Sequence, residues 1–316
     1  MTYEEIMKSE KLKERFCKDC NIPIRIFKEP YFFERLVLYD AFYGTLDKWK
    51  LFCNELEDGN YKNEQNYFEE YNRVKEAAME FIKSSEGYKK FNTVDHSVSR
   101  YSFSDIDSKH IYRPSNDGHI FISIDMKQAN FSALNYFDSS IFDNKSWENF
   151  LRKFTDNEHI INSKYIRQVI LGNCNPRRQV NYEKKLMTHV LNDMLLNSEL
   201  AISKKSIVCS SNDEIIIDAT EILDSTMLFK KVKEFCKLIL IPLSVNYFKL
   251  LKIKGIDGYI CEPLNFKGKV QLKCVDSNLL PLVIRKLIDQ EITNNDLVFV
   301  HDGLLAKWID VPKIEV

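Results

Sequence analysis

The chain has no apolar run long enough to cross a bilayer, which takes about 20 consecutive apolar residues in a helix, so a helical membrane protein is not expected. Its opening stretch, "MTYEEIMKSEKLKERF", is charged and lacks the apolar centre of a secretory signal. A soluble, intracellular (cytoplasmic) protein with no membrane partner is the expectation. Cysteine is present but not patterned: of eight, only Cys17 and Cys20 form a C-x-x-C pair. Without a second pair at ligand spacing a zinc ribbon is unsupported. Reduced, mostly buried thiols are the main expectation, with a redox pair or half of a composite metal site as the alternatives. His96, His110, His119 and His189 form no ligand pattern. Net charge is also missing: 45 basic against 46 acidic residues leave −1. That excludes coating duplex DNA by charge alone and leaves room for a locally basic channel. Glycine and proline are scarce, a bias that carries no functional weight, and no internal repeat or low-complexity segment is evident.

What remains is a chain of 316 residues, enough for two or three domains around a sizeable core. Residues 1–92 read as helical: in "EQNYFEEYNRVKEAAMEFIKSSEGY" Phe68, Tyr71, Val74, Ala78, Phe81 and Ile82 recur at helical spacing, and residues 57–63 form a polar break before it. The texture then changes. "IYRPSNDGHIFISIDM" predicts strand, turn and strand, with Asn-Asp-Gly at the turn and a buried second strand ending at Asp125. Helices are predicted from about 128 to 137 and over "SWENFLRKF". In "NSKYIRQVILGNCNPRRQ" a helix carries Lys164 and Arg167 beside an apolar face and ends at Gly172. Asn175 is expected to cap the next helix, with Pro176 at its first position. A hairpin with Asp213 and Glu214 at its tip, the helix "STMLFKKVKEFCKLI" and the strand "IPLSVNYFKLLKI" follow. This divides the chain into residues 1–92, 93–253, and a small α+β appendage over 254–316.

Chemistry concentrates where apolar strands end in acids. Asp125 closes one strand and Asp213-Glu214 sits at the tip of another, 213 − 125 = 88 residues on. If the strands are sheet neighbours, the carboxylates converge. Convergent carboxylates make a hard-oxygen site for Mg²⁺ or Mn²⁺, and two such ions about 3.5 to 4 Å apart can clamp both oxygens of a phosphoryl displacement. The basic helix with Lys164 and Arg167 would then face a triphosphate. The bland alternatives are that Asp125 caps the next helix, that Asp213-Glu214 is a solvated turn, and that Lys164 and Arg167 are a solvated face.

"FISIDMKQANFSAL" resembles motif A of family A DNA polymerases and the related single-subunit RNA polymerases, where an apolar strand ends in a metal-binding Asp followed three residues later by Gln; Asp125 and Gln128 match. "SSNDEIIID" resembles motif C of the DNA enzymes, with Asn212 where the family has His, and the helix and Pro-Leu strand after it fit as well. The middle motif departs from the pattern: Lys164 precedes Arg167 by three and Leu-Gly follows, where the family has Arg, Lys four on, and Tyr-Gly. The resemblance covers roughly residues 30–253. It implies an α+β, right-hand polymerase-like fold: an antiparallel palm sheet, N-terminal helices in the place of the thumb, and short helical fingers. It also implies Asp125 and Asp213 as metal ligands, Glu214 as their helper, and Lys164, Arg167 and Gln128 at the nucleotide. Asn130 stands where the DNA enzymes place a Glu that excludes the ribose 2′-hydroxyl. Arg177 and Arg178 are candidates for a nucleic-acid backbone. A rival motif C, His301-Asp302 in "FVHDGLLA", lacks the Glu and the chain to follow it, and is expected to be a strand ending in an Asp-Gly turn.

The function expected is a two-metal nucleotidyltransferase, foremost a small family A-like DNA polymerase using Mg²⁺ or Mn²⁺. Its partners would be nucleoside triphosphates and a nucleic-acid primer, with a template and protein partner subunits left open. The alternatives are an RNA polymerase or reverse transcriptase, a template-independent terminal transferase, and a catalytically inactive palm that binds nucleic acid.

Overall fold

The computed structural model describes residues 1–59, 61–96, 111–265 and 268–316; His110 therefore lies outside the described residues. The chain opens with six helices: α1 (Tyr3–Lys8), α2 (Glu10–Asp19), α3 (Tyr31–Tyr43), α4 (Thr45–Asp58), α5 (Glu64–Ser84) and α6 (Glu86–Thr93). Strand β1 (Ile120–Met126) leads to α7 (Ala129–Phe137), α8 (Trp147–Leu151), α9 (Glu158–Asn162), α10 (Lys164–Gly172) and α11 (Pro176–Leu196). Then come β2 (Ile207–Ser210), β3 (Glu214–Asp218), α12 (Ser225–Leu238), β4 (Leu243–Lys252), β5 (Tyr259–Pro263), β6 (Gln271–Lys273), α13 (Leu280–Leu287), β7 (Val298–His301) and β8 (Leu304–Lys307). The class is α+β. The main sheet has the order β2-β3-β1-β4-β5-β6, each neighbouring pair antiparallel, and β7-β8 forms a separate hairpin.

Alternation along the strands sorts the sheet into two faces. Ile122, Ile124 and Met126 of β1 and Ile215 and Ile217 of β3 share a core with Met187, Val190 and Met194 of α11 and Val232 of α12. Phe121, Ile216, Phe248 and Leu250 form a smaller cluster with Ile111 on the opposite face. Asp125 and Glu214 keep the phase of Phe121 and Ile216, so they belong to this less covered side.

Four details differ from expectation. No strand precedes β1 among residues 111–118. Pro114 starts a 3₁₀ turn through Asn116, whose side-chain amide donates to the Ile111 carbonyl at 2.8 Å, so the polar segment closes on itself. Second, the boundary at 253 cuts through a sheet: β5 and β6 pair onward from β4, so residues 259–273 belong to it. The rest of the C-terminal segment is tied to α3. Buried Arg35 donates to the carbonyls of Asn295 and Val298 at 3.0 and 2.9 Å. Third, the helices expected as thumb and as fingers are not two separate bodies. Phe52, Tyr67 and Ile82 share one core with Trp147, Phe150, Ile166 and Ile170, because both sets present broad aromatic and aliphatic faces. Fourth, Asn175 does not cap α11. It sits at φ +56, which turns its side chain away from the helix, and its amide donates to Asn92 at 2.8 Å; Pro176 does open the helix.

Candidate active site

Strand β1 ends between two neighbours. Asp125 lies directly opposite Glu214 of β3 on one side and Ser244 of β4 on the other. Directly opposed antiparallel residues hold their Cβ atoms about 4.5 to 5.5 Å apart. The next N–H, of Met126, donates to the Asp213 carbonyl at 2.8 Å, so the hairpin tip is bonded to the end of β1. Ser211 shapes that tip. Its N–H donates to the Glu214 carbonyl at 2.8 Å, its Oγ accepts from the Glu214 N–H at 3.0 Å, and its hydroxyl donates to Asp213 Oδ1 at 3.2 Å. A hydroxyl that bonds its own turn is what fixes a short connection. One turn of strand period before Asp125, Ser123 donates to Glu214 Oε1 at 2.6 Å.

A pocket of about 250 Å³ opens over Asp125 and Glu214, lined also by Ser123, Asn246 and Lys273; Asp213 does not line it. Burial, then the charges of Glu214 and Asp213, push the Asp125 carboxyl up to about 6, against the opposing pull of Lys273 and Lys164. On the helical side of the hairpin, Glu183 of α11 is 4% exposed and its Oε1 has no hydrogen-bond partner. Burial, then the Asp213 charge, push it up to about 7. The edge therefore carries more negative charge than its lysines neutralise.

The remaining candidates fall into two groups around it. Ser163 caps α10 by accepting from the Ile166 N–H at 3.0 Å, and Lys164 stands exposed on the first turn, near enough to act on Asp125. The half-buried Arg167 side chain makes no hydrogen bond or ion pair among the described residues; burial lowers its pKa, opposed by the charge of Glu148. Gln128, at φ +50, donates to that same Glu148 at 3.0 Å. The second group faces the helices. Asn130 makes only a long contact, 3.5 Å, to Gln179, and Gln179 in turn holds the Leu171 carbonyl at 2.8 Å. Arg178 is committed to the backbone carbonyls of Phe91 and Val94 at the end of α6, whereas Arg177 is exposed and free of such bonds among the described residues. The competing His301-Asp302 pair tops the separate β7-β8 hairpin, with side chains 75% and 90% exposed. Burial raises both thiols of the C-x-x-C pair, Cys20 to about 12, which disfavours the reactive thiolate.

Three residues at this edge lie outside what sequence reasoning selected. Ser123 had a signal in period two, being two residues before Asp125 on one strand. Glu183 had a signal in helical spacing, since it occupies the same α11 face as Gln179, Leu186, Met187 and Val190, where an acid is out of place. Lys273 had none, because its approach depends on β6 joining the sheet. Neither a scan against protein-family models nor searches of curated proteins and of solved structures return a match to this chain.

The donor chemistry fits a hard divalent cation: carboxylates, with one buried and unpartnered at Glu183. No three His, Cys, Asp or Glu side chains among the described residues form a ready cage. Mg²⁺ seldom needs one, since it is usually held by one or two carboxylates, water and substrate phosphate.

Proposed function

We propose that the chain is a nucleotidyltransferase of polymerase-like design, with Asp125 and Asp213 as the cation-binding carboxylates and Glu214 as their helper. The observation that carries the reading is the register: two acidic motifs far apart in sequence meet at one sheet edge, with Asp125 across from Glu214 and Met126 bonded to Asp213. A bound Mg²⁺ or Mn²⁺ would supply charge neutralisation at the phosphates and activate the attacking hydroxyl. The chain's own residues have separate tasks. Ser123 orients Glu214, Ser211 orients Asp213, and Lys164 and Arg167 would receive phosphate charge from the flanking helix. Burial, then the charges of Glu214 and Asp213, raise the Asp125 carboxyl, as expected of a carboxylate that awaits a cation. A palm-like sheet with one face under α11 and α12 is consistent with this design, and a family A-like DNA polymerase is the first form of it.

One observation favours a second reading, a non-catalytic nucleic-acid-binding palm: the helices expected as thumb and as fingers share a single core. The crowded acids weigh against it, because buried like charges with no cation to hold destabilise a fold. The deciding experiment offers the purified chain each of the four dNTPs and four NTPs, with Mg²⁺ or Mn²⁺, on single strands and on primed templates. Incorporation of labelled nucleotide supports transfer, and its dependence on template separates a polymerase from a terminal transferase. No incorporation under any combination, together with oligonucleotide binding, would leave the non-catalytic reading.

A further inference from the structure

Beside the Asp125 pocket runs a wider groove of about 880 Å³. Its walls are α2 and the segment after it, with Lys18 and Arg25, helix α10, with Tyr165 and Gln168, and strand β6, with Gln271 and Lys273. The last two residues also line the pocket over Asp125, so the two spaces adjoin across one strand. Gln271 and Lys273 are two apart and project to the same side, while Leu272 between them lines the groove and packs against the hydrophobic cores. β6 is the edge strand of the sheet among the described residues.

The groove is built from charge and rings. Lys18 is matched by Glu14 at 2.6 Å. The side chains of Arg25, exposed, and Lys273, half-buried, form no hydrogen bond or ion pair among the described residues. Two cations without a hydrogen-bonded partner thus face one space, Lys273 also acting on the Asp125 carboxyl. Tyr165 is held by the Arg15 guanidinium, 5.0 Å from its ring centroid, and stays partly exposed. Tyr43 and Phe42 line the groove further along, both partly exposed. Free cations along a track with interleaved rings are the chemistry by which single strands are held, phosphates by charge and bases by stacking. The segments that supply Arg25 and Lys273 fall outside residues 30–253, which carry the polymerase resemblance.

We propose that this groove binds single-stranded nucleic acid and leads it to the Asp125 pocket, with Arg25 and Lys273 on its phosphates and Tyr165 stacking a base. The leading of the strand to Asp125 rests on the nucleotidyl-transfer reading; the binding does not. DNA and RNA share the required chemistry, so both are tested. The assay is fluorescence anisotropy of the full chain with labelled oligo-dT and oligo-U of about 12 nucleotides, over about 50 to 200 mM salt, where counterion release makes affinity fall steeply. The combined Arg25→Ala and Lys273→Ala variant should bind at least about tenfold more weakly. Its log-affinity against log-salt slope should be shallower by about 1.4, or about 0.7 for each lost phosphate contact. Tyr165→Ala should weaken binding about fivefold or more. Lys230→Ala, on α12, which packs on the opposite face of the sheet and lines neither space, should change neither quantity. Thermal unfolding checks that each variant is folded. Photo-crosslinking of iodouridine-substituted oligonucleotide to the unaltered chain gives an answer that needs no variant, and a crosslinked peptide containing Tyr165 is the expected product. Unchanged affinity and slope in the groove variants, crosslinks confined to other segments, or binding of mononucleotides only would each overturn the proposal. Primer extension run in parallel separates the two readings. Groove-dependent binding without incorporation supports the groove and rejects transfer; incorporation with unaltered binding by the groove variants rejects the groove alone.

Discussion

Glu183→Gln should leave the protein nearly as stable as before at pH 5 and make it clearly more stable at pH 8. The carboxyl is buried, lacks a partner at Oε1, and is pushed from 4.5 up to about 7 by burial and then by Asp213. A raised folded-state pKa means that the native protein holds a proton the unfolded chain has already released. Stability from this group is therefore full below about pH 4.5 and is lost as pH rises through 7. At about 1.4 kcal/mol per pKa unit, the loss is under about 1 kcal/mol at pH 5 and about 3 kcal/mol at pH 8. Gln keeps the shape and cannot ionise, so the variant avoids that loss. With an unfolding entropy of about 2.1 cal/mol/K per residue, a chain of this length has about 0.66 kcal/mol/K. The gap of about 2 to 3 kcal/mol between the two pH values then corresponds to about 4 °C in Tm. The assay is thermal unfolding of both proteins at pH 5 and pH 8 in a chelating buffer, so that no divalent ion compensates the acid. An equal Tm difference at the two pH values would show that Glu183 is solvated, and a less stable variant at pH 8 would show that its ionised form is favourably paired; either would remove it as a strained acid of this edge.

Five other substitutions probe the surroundings. Lys164→Ala and Arg167→Ala should each lower kcat/KM for nucleotide by about 10- to 100-fold, the range for losing a charged hydrogen bond, with both kcat and KM affected; steady-state kinetics with no change in either variant would make α10 only a solvated face. Arg178→Ala should cost about 1 to 3 kcal/mol of stability by freeing the Phe91 and Val94 carbonyls, whereas Arg177→Ala should leave urea unfolding unchanged and weaken oligonucleotide binding; the opposite pattern would exchange their roles. Asn130→Glu should favour dNTP over matched NTP by about 1 to 3 kcal/mol in kcat/KM, and an unchanged ratio in an active variant would mean that residue 130 stays directed at Gln179 and does not meet the sugar.

What was legible in the sequence was local. Alternation and a long apolar run placed β1 and ended it at Asp125, and a short polar stretch between apolar strands placed the Asp213-Glu214 tip. The pairing of the two strands is nonlocal: the sequence raised it only as a condition, and the register supplies it. The misses are equally physical. Pro114 and Asn116 closed a local turn where periodicity suggested a strand, because side-chain bonds to backbone outcompeted a ladder. The boundary at 253 failed because strands as short as β6 carry too little pattern to assign to a sheet, and with it went Lys273. The common core of Phe52, Tyr67, Trp147 and Phe150 was invisible because an amphipathic face shows that a helix is covered without showing by what. Glu183 was readable in principle, as the one acid on the buried face of α11.

The most direct measurement is primer extension by Asp125→Asn and Asp213→Asn proteins beside the unaltered chain, with Mg²⁺ or Mn²⁺ and with Tm recorded for each. Both sites lie at strand and hairpin ends, where a loss of charge should not unfold the protein and at Asp125 should relieve crowding. Extension by the unaltered chain that falls to background in both folded variants is the predicted result. Extension that persists undiminished in folded Asp213→Asn would contradict the assignment and move the cation site away from the edge shared by β1 and β3.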